Sequence, residues 1–97
     1  MGDSLTYGYN ANREESYPAL LSRLSGYQVV NAGILGDTSA DGLKRLPTLL
    51  ENDSIKLMIL FFGGNDIIQN VPMSELKNNL KNMIHMAKEK NIDVLLI

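Results

Sequence analysis

The chain has 97 residues, enough for one small domain. Hydrophobic residues make up 44% and charged residues 21%, which excludes the disordered and fibrous classes and fits an ordinary globular domain. Lys plus Arg number 9 and Asp plus Glu 11, a net charge of -2, so no basic face for nucleic acid is implied and no nucleic-acid partner is expected.

There is no cysteine, hence no disulfide framework and no thiolate nucleophile. No His/Asp/Glu group has metal-ligand spacing, and no cofactor is expected. No apolar run approaches the ~20 residues of a membrane span. The 97 residues contain no basic, apolar, small-residue leader pattern.

Residues 1–12 read as a loop, with Gly2-Asp3-Ser4-Leu5 near its start. Ser16-Tyr17-Pro18 reads as a helix start, because Ser can cap orphan amides and Pro is tolerated in the first turn. Tyr17, Leu20, Leu21 and Leu24 keep the helical period, and Gly26 is placed to stop the helix, which is predicted over 16–25. The β-branched run at 27–31 predicts a short strand.

A second Gly-rich loop follows: Gly33-Ile34-Leu35-Gly36-Asp37-Thr38-Ser39. Thr38, Ser39 and Asp41 offer caps for a helix over 39–51, with Leu43, Leu46, Leu49 and Leu50 on one face. Pro47 falls inside it and is expected to kink it or shift its hydrogen bonding. Residues 57–62 are six apolar residues in a row, the pattern of a strand buried on both faces. Gly63-Gly64-Asn65-Asp66 ends that run.

Ser74 is then the candidate cap of a helix over 75–90. Its stripe is Leu76, Leu80, Met83, Ile84 and Ala87, and Asn91 ends it. Residues 93–97 begin another buried strand. Met73, Met83 and Met86 read as core or helix-flank packing.

The alternation of loop, helix and strand predicts an α/β protein with a parallel sheet. A strand is expected ahead of the first loop, yet only Met1 precedes Gly2. The last apolar strand has no polar exit. The pattern therefore predicts one part of a longer domain, missing its first strand.

In an open parallel sheet the C-terminal strand ends share one edge, where ligands bind. Each Gly-rich loop leaves such an end, so Ser4, Gly36 and Asn65 are expected to face one crevice. That set permits acyl transfer. A Ser hydroxyl is a nucleophile once a base activates it. A Gly amide, an Asn side-chain amide and the Ser amide itself can meet a developing oxyanion.

Three blocks in this order resemble the SGNH hydrolases, also called the GDSL esterase/lipase family. They are Gly2-Asp3-Ser4-Leu5, the stretch Asn31-Ala32-Gly33-Ile34-Leu35-Gly36-Asp37-Thr38-Ser39, and Gly63-Gly64-Asn65-Asp66. Residues 36–50 are similar to the bacterial arylesterase, thioesterase and lysophospholipase branch. The resemblance implies a three-layer α/β/α, flavodoxin-like fold. It implies Ser4 as nucleophile, with Gly36 and Asn65 joining the Ser4 amide in the oxyanion hole. It implies a small-molecule ester, thioester or lipid substrate and a periplasmic or secreted location.

The family's fourth block, Asp-x-x-His, carries the base and its orienting carboxylate. It is not among these residues. The only histidine is His85, and Asn82 stands three residues earlier. At about 100° per residue, His85 falls about 180° from Leu76, on the outer face of its helix. Residues 1–97 are thus expected to be the N-terminal portion of a single SGNH domain.

Plainer roles stand beside these. Ser4 can be a loop serine or a helix cap. Gly36 can serve only a positive φ, and Asn65-Asp66 can be a turn or cap pair. Asp3 and Asp37 are expected to stabilise their loops through local hydrogen bonds. The alternative function is a non-catalytic, flavodoxin-like binding or interaction module that keeps the loops. Other motifs fail by inspection. No loop has the P-loop Lys or a G-x-G-x-x-G spacing, and Gly2-Asp3-Ser4-Leu5-Thr6 lacks the second Gly of the nucleophile elbow.

Overall fold

The computed structural model describes residues 1–97. Five helices are present: α1 (Ser4–Tyr7), α2 (Tyr17–Ser25), α3 (Ser39–Leu49), α4 (Gly64–Ile68) and α5 (Met73–Glu89). A 3-10 turn covers Arg13–Glu15, and two strands, β1 (Leu57–Leu60) and β2 (Asp93–Leu96), complete the set. The strands pair in parallel, in a register running from Leu57 opposite Asp93 to Leu60 opposite Leu96.

The parallel arrangement extends beyond that ladder. Gly2 forms single parallel bridges to Gly33 on one side and Phe61 on the other. Met1 N donates to Ile59 O at 3.1 Å, Phe61 N to Met1 O at 3.0 Å, and Ile34 N to Gly2 O at 3.1 Å. The backbone order is therefore residue 33, residue 2, β1, β2. All run the same way, so the segments after Gly2, Gly33 and Phe61 leave at one edge.

The strand predicted over 27–31 does not form, and only Gly33 makes a bridge. Among residues 1–97 no backbone segment pairs with Gln28, Val29 or Val30. The helix over 17–25 forms as its signals require: Ser16 caps it, Pro18 sits in the first turn, and Gly26 closes it at φ 76°. Its apolar stripe stays largely uncovered, with Leu24 86% exposed.

The core lies on the other face of the sheet. Leu46 and Leu50 of the α3 face meet Met58, Leu60 and Phe62, and Met83, Ala87 and Ile92 close the cluster. Gly42 lets α3 approach closely, because a Cβ there would enter the Phe62 ring. Phe61 points the opposite way and meets the Tyr17 ring at 6.4 Å. With α2 on one face and α3 and α5 on the other, the layers run helix, sheet, helix.

Several local expectations change. Residues 4–7 are a helical turn rather than loop, capped by Asp3 and closed by Gly8 at φ 96°. Pro47 is accommodated, since α3 continues through it to Leu49. The apolar run at 57–62 is not buried on both sides: Met58, Leu60 and Phe62 are buried, whereas Leu57 is 55% exposed. No helix of the chain covers the Leu57 side there. Strand β2 is likewise exposed at Leu95 and Leu96, being the outermost strand of the sheet. Helix α5 starts at Met73 after Pro72, so Ser74 lies in its first turn and is not the cap.

Candidate active site

The site is built from the three segments that leave the common edge. The first is α1. Asp3 Oδ1 accepts from Leu5 N at 3.0 Å and so caps the turn, which leaves Ser4 as its first residue. Ser4 is therefore not the cap. It is half-buried, and its amide belongs to the first turn, where N–H groups have no partner inside the helix.

The turn is held from beneath. Thr6 is fully buried and its hydroxyl lies 3.0 Å from Tyr17 Oη. Asn31 Nδ2 donates to Thr6 O at 3.1 Å, while Asn31 Oδ1 accepts from Gly33 N at 2.9 Å. Gly33 allows this approach, because a Cβ there would strike the backbone of Thr6 and Tyr7.

The second segment carries Gly36, at φ 77°. A side chain at that φ would be strained, so the backbone requirement is real. Nothing lies within 4 Å of where its Cβ would be, so the residue borders open space. Asp37 follows. Its carboxylate accepts from Arg45 Nε at 2.7 Å, which is not the local loop bond expected of it.

The third segment enters α4 with Gly63 as cap, at φ 137°. Asn65 and Asp66 are inside the helix and are not its cap. Asn65 is half-buried. Its Nδ2 donates to Asp37 O at 3.0 Å and lies 3.5 Å from Asp3 Oδ2. The residues beside Ser4 and beside Gly36 thus both lie within reach of one side chain.

Beneath Asn65 is a buried polar cluster. Asp66, 1% exposed, accepts from Ser39 N at 2.8 Å and from Ser39 Oγ at 2.6 Å. Asn79 Nδ2 of α5 donates to the same Ser39 Oγ at 3.1 Å. No buried side-chain polar atom is left unpaired. This cluster fastens the third segment to the start of α3.

Sequence reading missed Ser39 as an anchor, along with Asn79 and Arg45. A signal for Asn79 existed: it lies between Leu76 and Met83 on the buried stripe, where a polar residue needs a partner. Nothing marks Arg45 among nine cationic residues.

His85 stands apart from all of this. It is exposed on the outside of α5, where Nε2 lies 2.8 Å from Glu89 Oε1 one turn on. No group of three or more His, Cys, Asp or Glu residues is placed to hold a metal ion. No helix is long and apolar enough to cross a membrane. A cavity of about 700 Å³ lies elsewhere, as an apolar groove between residues 27–30 and β1, floored by Tyr17, Leu21 and Ile59. It is a gap in the sheet layer and not the meeting point of the loops.

Fold and loops together define an α/β domain with a Ser, a Gly and an Asn gathered at the carboxyl edge of a parallel sheet. The chain belongs to the GDSL-like Lipase/Acylhydrolase family, which matches residues 1–97. It is 38% identical over 102 residues to Esterase TesA of Pseudomonas aeruginosa, covering 100% of this chain and 51% of that protein. It is 36% identical over 99 residues to Thioesterase 1/protease 1/lysophospholipase L1 of Escherichia coli, covering 100% and 48%. Among solved structures it is similar to AlinE4, an SGNH-hydrolase family esterase. That match has a TM-score of 0.88 and 36% identity, covering 99% of this chain and 55% of that one. The chain spans about half the length of the curated relatives it matches.

Proposed function

We propose that the protein carrying this chain is a serine hydrolase of carboxylic ester or thioester bonds, with Ser4 as its nucleophile. The observation that carries this is the junction at Asn65. One carboxamide nitrogen lies 3.0 Å from Asp37 O and 3.5 Å from Asp3 Oδ2, which gathers the Ser4, Gly36 and Asn65 segments. The named relatives, an esterase and a thioesterase/lysophospholipase, support the reaction class.

In this reading Ser4 Oγ attacks the substrate carbonyl carbon and its proton passes to a general base. The tetrahedral intermediate collapses by breaking the C–O or C–S bond to the leaving group. Water then cleaves the acyl-serine and restores the hydroxyl. The negative charge on the carbonyl oxygen is met by the amides of Ser4 and Gly36 and by Asn65 Nδ2. Nδ2 has two hydrogens. Asp37 O takes one, and the long contact to Asp3 is the one that an oxyanion displaces.

His85 is not the base, since it lies on the outer face of α5 and pairs with Glu89. We propose that residues 1–97 are the N-terminal portion of one domain, and that the base and its orienting carboxylate come from the rest. A chain spanning half the length of its relatives accords with this. The substrate is a small-molecule ester, thioester or lipid.

The test is Ser4→Ala in the full-length protein, assayed with a p-nitrophenyl ester. Hydrolysis is expected to fall by at least ~10³-fold with unchanged thermal unfolding. Retention of most of the rate contradicts the proposal.

A further inference from the structure

We propose that Arg45 is a positioning residue that sets the spacing of the oxyanion donors; this rests on the function proposed above. Arg45 lies on α3, outside the three loops, yet its guanidinium holds two of them at once. Nε donates to Asp37 Oδ2 at 2.7 Å, and Nη2 donates to Gly2 O at 3.0 Å. A planar guanidinium presents its N–H groups in a fixed fork, so these two bonds fix the separation of their acceptors.

The bonds end on groups tied directly to the proposed donors. Gly2 O belongs to the peptide leading into Asp3, one residue before Ser4. It also accepts from Ile34 N, so both of its lone pairs are used. Asp37 directly follows Gly36. Gly36 has no side chain and nothing within 4 Å of its Cβ position, so no side-chain packing holds it, and its turn is closed only by Asp37 N donating to Ile34 O at a long 3.3 Å. The anchor is Asp37, clamped by Arg45. Asp37 O in turn accepts from Asn65 Nδ2 at 3.0 Å, and Nδ2 approaches Asp3 Oδ2 at 3.5 Å.

Without substrate a closed ring results: Arg45, Asp37, Asn65, Asp3, Gly2 and back to Arg45; when an oxyanion displaces the long Asp3 contact, the links from Arg45 to Gly2 and through Asp37 to Asn65 remain. The ring passes through a neighbour of every proposed oxyanion donor, or through the donor itself. The side chains of Arg45 and Asp37 are only 21% and 12% exposed, so water competes weakly for their bonds. A Lys at 45 would keep the charge but lose the fork. It could hold Asp37 or Gly2 O, but not both in fixed geometry.

The experiment uses the full-length protein and its Arg45→Lys and Asp37→Asn variants, assayed with a p-nitrophenyl ester and by thermal unfolding. The proposal expects kcat to fall about 10-fold or more with KM nearly unchanged, because oxyanion donors act mainly in the transition state. The Arg45→Lys/Asp37→Asn double variant is expected to lose little more than either single one. Unchanged kcat in folded Arg45→Lys and Asp37→Asn proteins, with only the unfolding temperature lowered, makes Arg45 merely structural and overturns the inference. If Arg45→Lys does not fold, Asp37→Asn alone decides, by the same kcat and KM readout. A wild-type protein that hydrolyses no ester and takes no serine-directed label at Ser4 overturns the functional proposal itself, and this inference with it.

Discussion

Asp66 is the most enclosed charge in the chain, and its two oxygens serve one residue, Ser39, through its amide and its hydroxyl. Hydrogen bonds to a buried carboxylate are worth more than neutral ones, and removing the acceptor leaves buried donors unsatisfied. Asp66→Ala is therefore expected to cost about 2–3 kcal/mol of folding stability, read as a lower denaturant midpoint. A loss below about 0.5 kcal/mol, the range of ordinary surface changes, would show that the bond to Ser39 is not maintained in solution. The neighbouring Asn79 shows what residue-scale reading can reach. Its place on an apolar stripe was legible, but its partner was not, because Ser39 is 40 residues away and meets it only in the fold. His85 is the opposite case. The helical wheel alone put it on the outer face, and it is there. His85→Ala in the full-length protein is expected to leave ester hydrolysis within about twofold of wild type, as surface changes remote from a site do. A drop of a hundredfold would make it a member of the catalytic set.

At the scale of elements, α3 carries the clearest local code. Thr38 Oγ1 accepts from Asp41 N at 3.4 Å, and Asp41 Oδ2 accepts from Thr38 N at 3.0 Å, the reciprocal capping box. Hydrogen bonds from the Thr38 backbone, then from its hydroxyl, hold the Asp41 carboxyl below its ordinary value of 3.8. A carboxyl lowered in the folded state adds stability above its unfolded value and loses it as the pH falls through the folded value. The stability gap between wild type and Asp41→Ala is thus expected to close as the pH drops below 3.8, in denaturation curves taken across the acid range. Thr38→Ala should cost about 1 kcal/mol at neutral pH. A gap that stays constant through the acid range contradicts the box. Strands were less legible than helices for a physical reason. A helix closes its own hydrogen bonds, so Ser16, Pro18 and Gly26 sufficed to place α2. A strand needs a neighbour, and residues 27–31 have the β-branched composition but form no ladder with another segment of residues 1–97. The six-residue apolar run gave β1 its place but not its burial, since coverage depends on helices elsewhere in the chain.

At the scale of the molecule, the parallel bridges of Gly2 decide the arrangement. They put the first segment between Gly33 and Phe61 and send three loops out at one edge. The α/β class and the parallel sheet were readable from the alternation of elements, and the three Gly-rich blocks from their residues. What sequence could not show was the wiring between the blocks: Asn65 to Asp37, Arg45 to Gly2, Asp66 to Ser39. Each joins residues 27 or more positions apart, which meet only in the fold. The same edge holds Ser4, the proposed nucleophile, and the proposed oxyanion donors. That claim is tested most directly by treating the full-length protein with a serine-directed phosphonate and mapping the adduct by peptide mass spectrometry. One phosphonyl group on Ser4, with activity lost in step with labelling, is the result predicted. Complete inactivation with the label on another residue, or active protein that takes no label at Ser4, would contradict it.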